Sequence, residues 1–397
     1  MTDFQGSRLL TINSGSSSLK AASYEMGEKE PLILAMEVDR IGIPGSHMRI
    51  TDAHGATLLD QKGDLPDHSA ALQAFFTWFE QHDSYQGLDG VGHRIVHGGH
   101  HREPQLITPD LMTALEGLVP IDPDHLPQAI SGIRFVSRFY PALQQVACFD
   151  TAFHRQMPHV AQMYALPGHF YDEGLLRYGF HGLSYEYIMQ ELRTLDGGLA
   201  DGRVIVAHLG NGASMAAIQG GRSIDTTMGF TPTEGLVMGT RSGDIDPGAL
   251  LFLIEERRMT PQAVNKLINK ESGLLGISGT SEDMQDLLER ESTDPRAAEA
   301  VQLFCYRAKK YLGAYAAALG GLDILVFTGG IGEHAASIRE RVCSGLEFLG
   351  IKIDSGRNRT HAPVISSDDS RVAVRVFRTD EDLMIARHTK KLIGRVR

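Results

Sequence analysis

The sequence predicts an α/β protein of two domains with mixed sheets. Three observations carry this. The chain has 397 residues, more than one hydrophobic core usually serves. Helix-spaced and strand-like segments alternate along its length. A strand, a short glycine-bearing tip and a return strand occur at the start and again near the middle, which is the mark of a duplicated fold with one such hairpin heading each half.

The first hairpin runs as a strand over residues 8–14, breaks at Asn13-Ser14-Gly15-Ser16-Ser17-Ser18 and resumes over 19–24. A polar tip with glycine is ordinary hairpin punctuation. Residues 69–81 place apolar side chains at helical spacing, and 146–150 read as a short strand. The opening pattern then returns: a strand over 203–209, the tip Gly210-Asn211-Gly212-Ala213-Ser214, and a return strand over 215–218. Thr260-Pro261 and Asp294-Pro295 each pair a cap with a first-turn proline, and the second starts a long helix that ends at Gly320-Gly321. Residues 323–328 form a strand. Ser337 with Glu340 reads as a capping box for a helix that stops at Gly350. Residues 371–377 alternate as a strand, and Thr379-Asp380-Glu381-Asp382 opens a final helix. No proline- or glycine-rich linker divides the halves, so the cut near residue 150 follows from the repeat.

Composition narrows the partners. A formal net charge of -11 disfavours nucleic acid and membrane surfaces, since both are polyanionic. The three cysteines, Cys148, Cys305 and Cys343, lack CxxC spacing and lie in apolar segments, as buried thiols in a reducing compartment do. Met1 to Gln5 carries no basic, then apolar, leader, and the longest apolar stretch, 311–332, is broken by Gly320, Gly321 and Asp323. A cytoplasmic protein without a membrane span is expected. The run His97-Gly98-Gly99-His100-His101 lacks the spacing of a zinc site.

Three glycine-rich turns follow strands: Asn13 through Ser18, Gly210 through Ser214, and Gly329-Gly330-Ile331-Gly332-Glu333. Glycine lets backbone approach a ligand, and N–H groups beside small hydroxyls suit phosphate oxygens. Singly, each is an ordinary turn; together, at strand ends and in both repeat heads, they point to phosphate. Neither GxxxxGK[ST] nor a well-placed GxGxxG is present, which disfavours P-loop enzymes and dinucleotide-dependent dehydrogenases.

The strings Thr11-Ile12-Asn13-Ser14-Gly15-Ser16-Ser17-Ser18-Leu19-Lys20, Gly92-His93-Arg94-Ile95-Val96-His97-Gly98-Gly99, Phe149-Asp150-Thr151-Ala152-Phe153-His154, Arg177-Tyr178-Gly179-Phe180-His181-Gly182 and His208-Leu209-Gly210-Asn211-Gly212, with residues 225–248 and 327–333, resemble the acetate kinase family in order and over nearly the whole chain. The resemblance implies the two-domain fold shared by acetate and sugar kinases and actin-like ATPases. In that fold two ribonuclease H-like cores flank an interdomain active-site cleft. Residues 1–150, completed by the C-terminal helix at about 385–397, would form the N-terminal domain, and 151–384 the nucleotide-binding domain. It further implies a homodimer that uses ATP/ADP and magnesium, for which manganese can substitute. The substrate would be acetate or propionate and the product acetyl phosphate.

A short carboxylate is already an anion at neutral pH. No general base is needed to make it a nucleophile; the difficulty is the approach of an anion to a polyanionic phosphate, which calls for cations and alignment. An isolated arginine is usually a surface ion pair. The resemblance instead assigns Arg94 and Arg241 to the carboxylate and the transferring phosphoryl group, for which guanidinium geometry is suited. It makes His181 a donor to an equatorial oxygen and Asp150 catalytic; since no base is required, Asp150 is expected to orient an arginine or the metal shell. Glu381 and Asn13 are the implied metal ligands, although acids in a first helical turn can be simple caps. Lys20, His208, Leu209, Gly210, Asn211 and Gly212 are assigned to phosphates. Asp283, Met284 and Gln285 fall beside the adenosine, and Gly330, Ile331, Gly332, Glu333 and His334 along the purine pocket. Val96, His125, Phe180 and Pro232 would bound the substrate's alkyl end, where one methylene is worth only about 1–3 kcal/mol.

Three departures stand out against the family pattern. Asp124-His125-Leu126-Pro127 replaces a Leu-His-Asn-Pro string, Gln285 stands where arginine is common, and His334 stands where asparagine is common. They leave alkyl-pocket shape and nucleotide preference open. Two other readings remain beside the acetate kinase: a kinase for another short-chain carboxylate such as butyrate, and a nucleotide-binding regulator without catalysis. The joint presence of Arg94, Asp150, His181, Arg241 and Glu381 argues against the regulator, which needs no carboxylate clamp.

Overall fold

The computed structural model describes residues 6–82, 87–195 and 197–394. Met1 to Gln5, where no export leader is read, and the last three residues of the 385–397 segment lie outside them. The chain divides into two compact units: one takes the chain up to Ala152 and resumes at Asp380, the other spans Phe153–Thr379.

The first unit holds β1 (Ser7–Ser14), β2 (Leu19–Met26), β3 (Leu32–Asp39), β4 (Ser46–Asp52), β5 (Thr57–Gly63), β6 (Gly90–Ile95), β7 (Gln105–Leu106) and β8 (Gln144–Phe149). They form one sheet in the order β5-β4-β3-β2-β1-β6-β8-β7. The second unit holds β9 (Arg203–Leu209), β10 (Ala213–Gln219), β11 (Arg222–Thr226), β12 (Ile324–Thr328) and β13 (Ala373–Val376), in the order β11-β10-β9-β12-β13. The order β3-β2-β1-β6-β8 in the first sheet is that of the second. In both, three consecutive strands form an antiparallel meander and the next two run parallel to the first. The duplication read from two hairpins is therefore a duplication of whole ribonuclease H-like sheets.

Each sheet is buried by helices whose apolar period matches it. His68–Glu80 turns Ala71, Leu72, Phe75, Phe76 and Phe79 inward at spacings of one, three and four, joining Leu10, Ile12 and Val91 in the first core. In the second, Ile188 and Leu192 pack with Val204, Val206, Ile324 and Val326. The final helix, Glu381–Ile393, packs on β1 and β6. Asp380 caps it, its carboxylate accepting from the Leu383 N–H, as Thr260 and Asp294 cap theirs. Among the described residues no helix is long and apolar enough to cross a membrane, and the three cysteines are buried and form no disulfide.

Two local expectations are corrected. Ser337 and Glu340 make no capping box: the helix is Ala336–Cys343 with Ala335 at its cap position and no side-chain cap bond. Ala335 also closes the preceding helix, so that helix sets the entry of the next and Ser337 falls inside its first turn. Gly350 instead ends a separate 3₁₀ turn, Glu347–Leu349. The glycine-rich segment after β12 is likewise a short helix, Gly329–His334; its glycines, poor helix formers, hide it from pattern reading.

Candidate active site

In the first unit β1, β6 and β8 run parallel, so Asn13, Arg94 and Asp150 all lie at their C-terminal ends, the edge where open α/β sheets place functional groups. Arg94 Nε donates to Asp150 Oδ1 at 3.2 Å and Oδ2 at 3.1 Å, and Nη2 donates to Oδ2 at 2.6 Å. On the other side Nη1 donates to Asn13 Oδ1 at 3.2 Å and lies 3.4 Å from Glu381 Oε2. Asp150 is 1% exposed and the Arg94 side chain 19%. Burial works against the guanidinium charge, but Asp150 and Glu381 outweigh it and hold the Arg94 pKa above its ordinary value. Asp382, next to Glu381, is pushed up to about 6 by burial and by its neighbours Asp380 and Glu381.

The donor set suits magnesium, which takes one or two carboxylate or amide oxygens and fills its octahedron with water and phosphate. Asn13 Oδ1 and Glu381 Oε2 both face Arg94 Nη1. Among the described residues no three His, Cys, Asp or Glu side chains gather as a metal cage, and magnesium does not need one.

In the second unit the corresponding edge carries the Gly210-Asn211-Gly212 tip and the helix Gly329–His334. Beside them lies a pocket of about 470 Å³, within the usual range for small-molecule sites. It is lined by Gly210, Asn211, Asp283, Met284, Gln285, Gly330, Ile331 and His334, which the resemblance points toward nucleotide, together with Glu282, Leu288 and Ala335. Leu288 follows Met284 by one helical turn on Met284–Arg290, a spacing that could have found it. Leu209 and Gly332 are buried and do not line the pocket. Glu333 turns back instead, accepting from the Gly329 and Thr379 N–H groups. Asp283 caps Met284–Arg290, accepting from the Gln285 and Asp286 N–H groups. Arg339, fully buried, donates to the Gly332 and Glu333 carbonyls and holds the end of the pocket helix.

His181 sits at φ +58, a conformation uncommon without glycine and frequent at functional sites. Its ring stacks on His208 at 4.3 Å, and His208 Nδ1 is 2.9 Å from Ser184 Oγ. Arg241 Nη1 donates to the Pro232 carbonyl at 2.7 Å. A Cβ on Gly212 would lie 2.6 Å from Arg241 Nη2 and 3.4 Å from His181 Nε2, so both donors reach into the space that this glycine leaves free. Two anchors hold the loop that carries Arg241: Arg177 Nη2 bonds Glu234 at 2.6 Å, and the Tyr311 hydroxyl donates to Asp244 at 2.7 Å.

Lys20 Nζ pairs with Glu37 at 2.9 Å. His125 Nδ1 is 2.8 Å from Asp122 Oδ1. Val96 and Pro232 are half-buried, while Phe180 is 1% exposed.

Residues 8–387 match the acetokinase family. A protein named acetate kinase from Rhodopseudomonas palustris is 47% identical over 395 residues, covering 97% of this chain and 98% of the relative. One from Methylocella silvestris is 44% identical over 401 residues, covering 98% of each. The crystal structure of Porphyromonas gingivalis acetate kinase matches with a TM-score of 0.88 at 41% identity, covering 98% of this chain and 100% of that one. A propionate kinase from Francisella tularensis matches at 0.91 and 34%, covering 97% and 99%.

Proposed function

Because the chain belongs to the acetokinase family and is a kinase, we propose that the groups described above carry reversible phosphoryl transfer from ATP to acetate or propionate, giving the acyl phosphate and ADP. The oriented Arg94 carries this reading: Asp150 holds one edge of its guanidinium while Asn13 and Glu381 face the other. A nucleotide-binding regulator has no use for such a clamp.

The acceptor carboxylate arrives as an anion, so Asp150 acts by orienting Arg94 rather than by taking a proton. Arg94 supplies a fixed cation to the carboxylate. Arg241 Nη2 and His181 Nε2 supply donors to the oxygens of the phosphoryl group in flight, where charge stabilisation and in-line alignment provide most of the rate. Glu381 and Asn13 would hold magnesium, which would neutralise charge on the nucleotide phosphates. The pocket beside Gly210 and Gly330 takes the nucleoside. The helix Pro247–Glu255 buries none of its residues and exposes Leu251 and Phe252 by about half. A second copy of the chain is the partner proposed for that face, and the buried thiols suit the reducing cytoplasm.

Hydroxylamine trapping of acyl phosphate from magnesium-ATP and acids from formate to butyrate tests this function. A maximum at acetate or propionate is expected. ATP binding without product from any acid overturns the reading in favour of the regulator.

A further inference from the structure

Two hydroxyl groups stand behind His181. Ser214, on β10, is fully buried, and its Oγ lies 2.8 Å from His181 Nδ1. The same Oγ is hydrogen-bonded to the phenol of Tyr185, which is buried on the helix Gly182–Leu195. The ring therefore has Nδ1 turned to Ser214 and Nε2 turned toward the space over Gly212 that Arg241 also enters.

Counting protons gives the chain a direction. A neutral imidazole has one N–H and one acceptor nitrogen, and a serine hydroxyl has one proton. Nε2 can donate to a phosphoryl oxygen from a neutral ring only if Nδ1 accepts. Ser214 must then give its proton to Nδ1 and accept from the Tyr185 hydroxyl. In the opposite tautomer Nε2 would aim a lone pair at an anionic oxygen. We propose that Tyr185 and Ser214 form a buried hydroxyl relay that holds His181 in its Nε2–H tautomer, which makes both of them positioning residues for phosphoryl transfer. The proposal rests on the reading of His181 as a phosphoryl donor. It parallels the way outer hydrogen bonds select the tautomer of functional histidines.

The backbone is held with the same care. The His154 ring donates from Nε2 to the Phe180 carbonyl at 3.0 Å, with Nδ1 2.8 Å from Ser223 Oγ. That ring packs so closely on Gly179, at φ +75, that a Cβ there would lie 2.6 Å from it. The Tyr185 N–H donates to the His181 carbonyl at 3.1 Å. Ring direction and backbone are thus set by separate contacts, and the two hydroxyls can be removed without touching the second.

The test is a double-mutant cycle with a spectroscopic arm. Ser214→Ala is expected to lower kcat about 10-fold and Tyr185→Phe about 3-fold, the range of single neutral hydrogen bonds, with KM for ATP and acid nearly unchanged. The double variant is expected to fall no further than Ser214→Ala, because the phenol acts only through the serine. Nitrogen NMR of histidine-labelled protein, with His181 assigned by its loss in His181→Gln, should show the Nε2–H tautomer in the parent and a tautomer mixture in Ser214→Ala. Additive losses, or an unchanged tautomer in Ser214→Ala, overturn the relay. Near-normal turnover of His181→Gln removes the donor reading itself, whereas an inactive His181→Gln beside fully active Ser214→Ala and Tyr185→Phe sinks the relay alone.

Discussion

In the first unit the functional edge of the sheet is organised by charge: Arg94 lies between Asp150 and Glu381, with a third acid, Asp382, close by. In the second unit the same edge of a sheet with the same strand order sets a cation, Arg241, beside a network of histidines and hydroxyls. There His181, Ser214 and Tyr185 share hydrogen bonds, while His208 stacks on His181 and bonds Ser184. The scaffold does not account for this, since both edges are the C-terminal ends of parallel strands beside an antiparallel hairpin. What differs is the residue at each strand end. β6 ends in Arg94-Ile95 and leaves a cation there; β12 ends in Thr328 and passes into a glycine-rich helix that makes room for a ligand. The contrast also fixes how each edge should fail. A buried ion pair leaves an uncompensated charge when one partner is lost, whereas a neutral network loses only the modest net worth of a hydrogen bond.

The largest effect is therefore expected in the first unit. Arg94→Ala should lower turnover at least about 100-fold. Because Asp150 is 1% exposed, it should also cost about 3 kcal/mol of stability. Adding Asp150→Asn removes the stranded charge, so the double variant should recover most of the stability and none of the activity. Urea unfolding and turnover measured on the same samples decide this. An Arg94→Ala protein as stable as its parent would show that the edge is not organised by charge.

In one respect the two units agree, and this gives a smaller, pH-dependent effect. Each buries a neutral histidine behind its edge: His93, bonded to Gln145 at 2.8 Å, and His154. Burial pushes His93 down to about 4 and His154 down to about 3. The unfolded chain takes up these protons near pH 6.5 and the folded chain only well below it. Stability is then full above about pH 6.5 and falls as the pH drops toward 4, with His93 contributing on the order of 3 kcal/mol at the low end. His93→Gln, which has no proton to take up there, should lose less between pH 7 and 4.5 than the parent, as read from urea midpoints. Equal losses would assign the acid sensitivity elsewhere.

Much of this was legible in the sequence because it was local. The polar tips at Asn13 and Gly210 announced the repeat, and the caps at Thr260, Asp294 and Asp380 are made as their residue types dictate. Matching whole strings, rather than periodicity, brought Arg94, Asp150, Asn13 and Glu381 into one expectation; they are far apart in the chain and meet because β1, β6, β8 and the final helix share an edge. The helix Gly329–His334 was hidden because its glycines oppose helix by propensity while its place after β12 imposes it. The Ser214–Tyr185 contact was invisible for another reason. Tyr185 follows His181 by one helical turn, but only the fold brings β10 beneath both, and the positive φ of His181 has no signature in residue type.

The smallest effect is expected at an exposed cross-strand ion pair. Lys20 belongs to the hairpin that heads the first unit, and the family resemblance points it at phosphate. In β2 it stands directly across from Glu37 of β3 in the strand register, and their charged ends pair at 2.9 Å with side chains about half exposed. Exposed pairs of this kind contribute about 0–1 kcal/mol, because water screens them and two long side chains must be ordered. Lys20→Ala should accordingly shift the unfolding free energy by less than about 1 kcal/mol. It should leave KM for ATP within about two-fold if the ammonium stays on Glu37 when nucleotide binds. A rise of ten-fold or more in KM for ATP, with stability unchanged, would mean that nucleotide draws Lys20 away from Glu37 and that the charged edge of the first unit extends onto its hairpin.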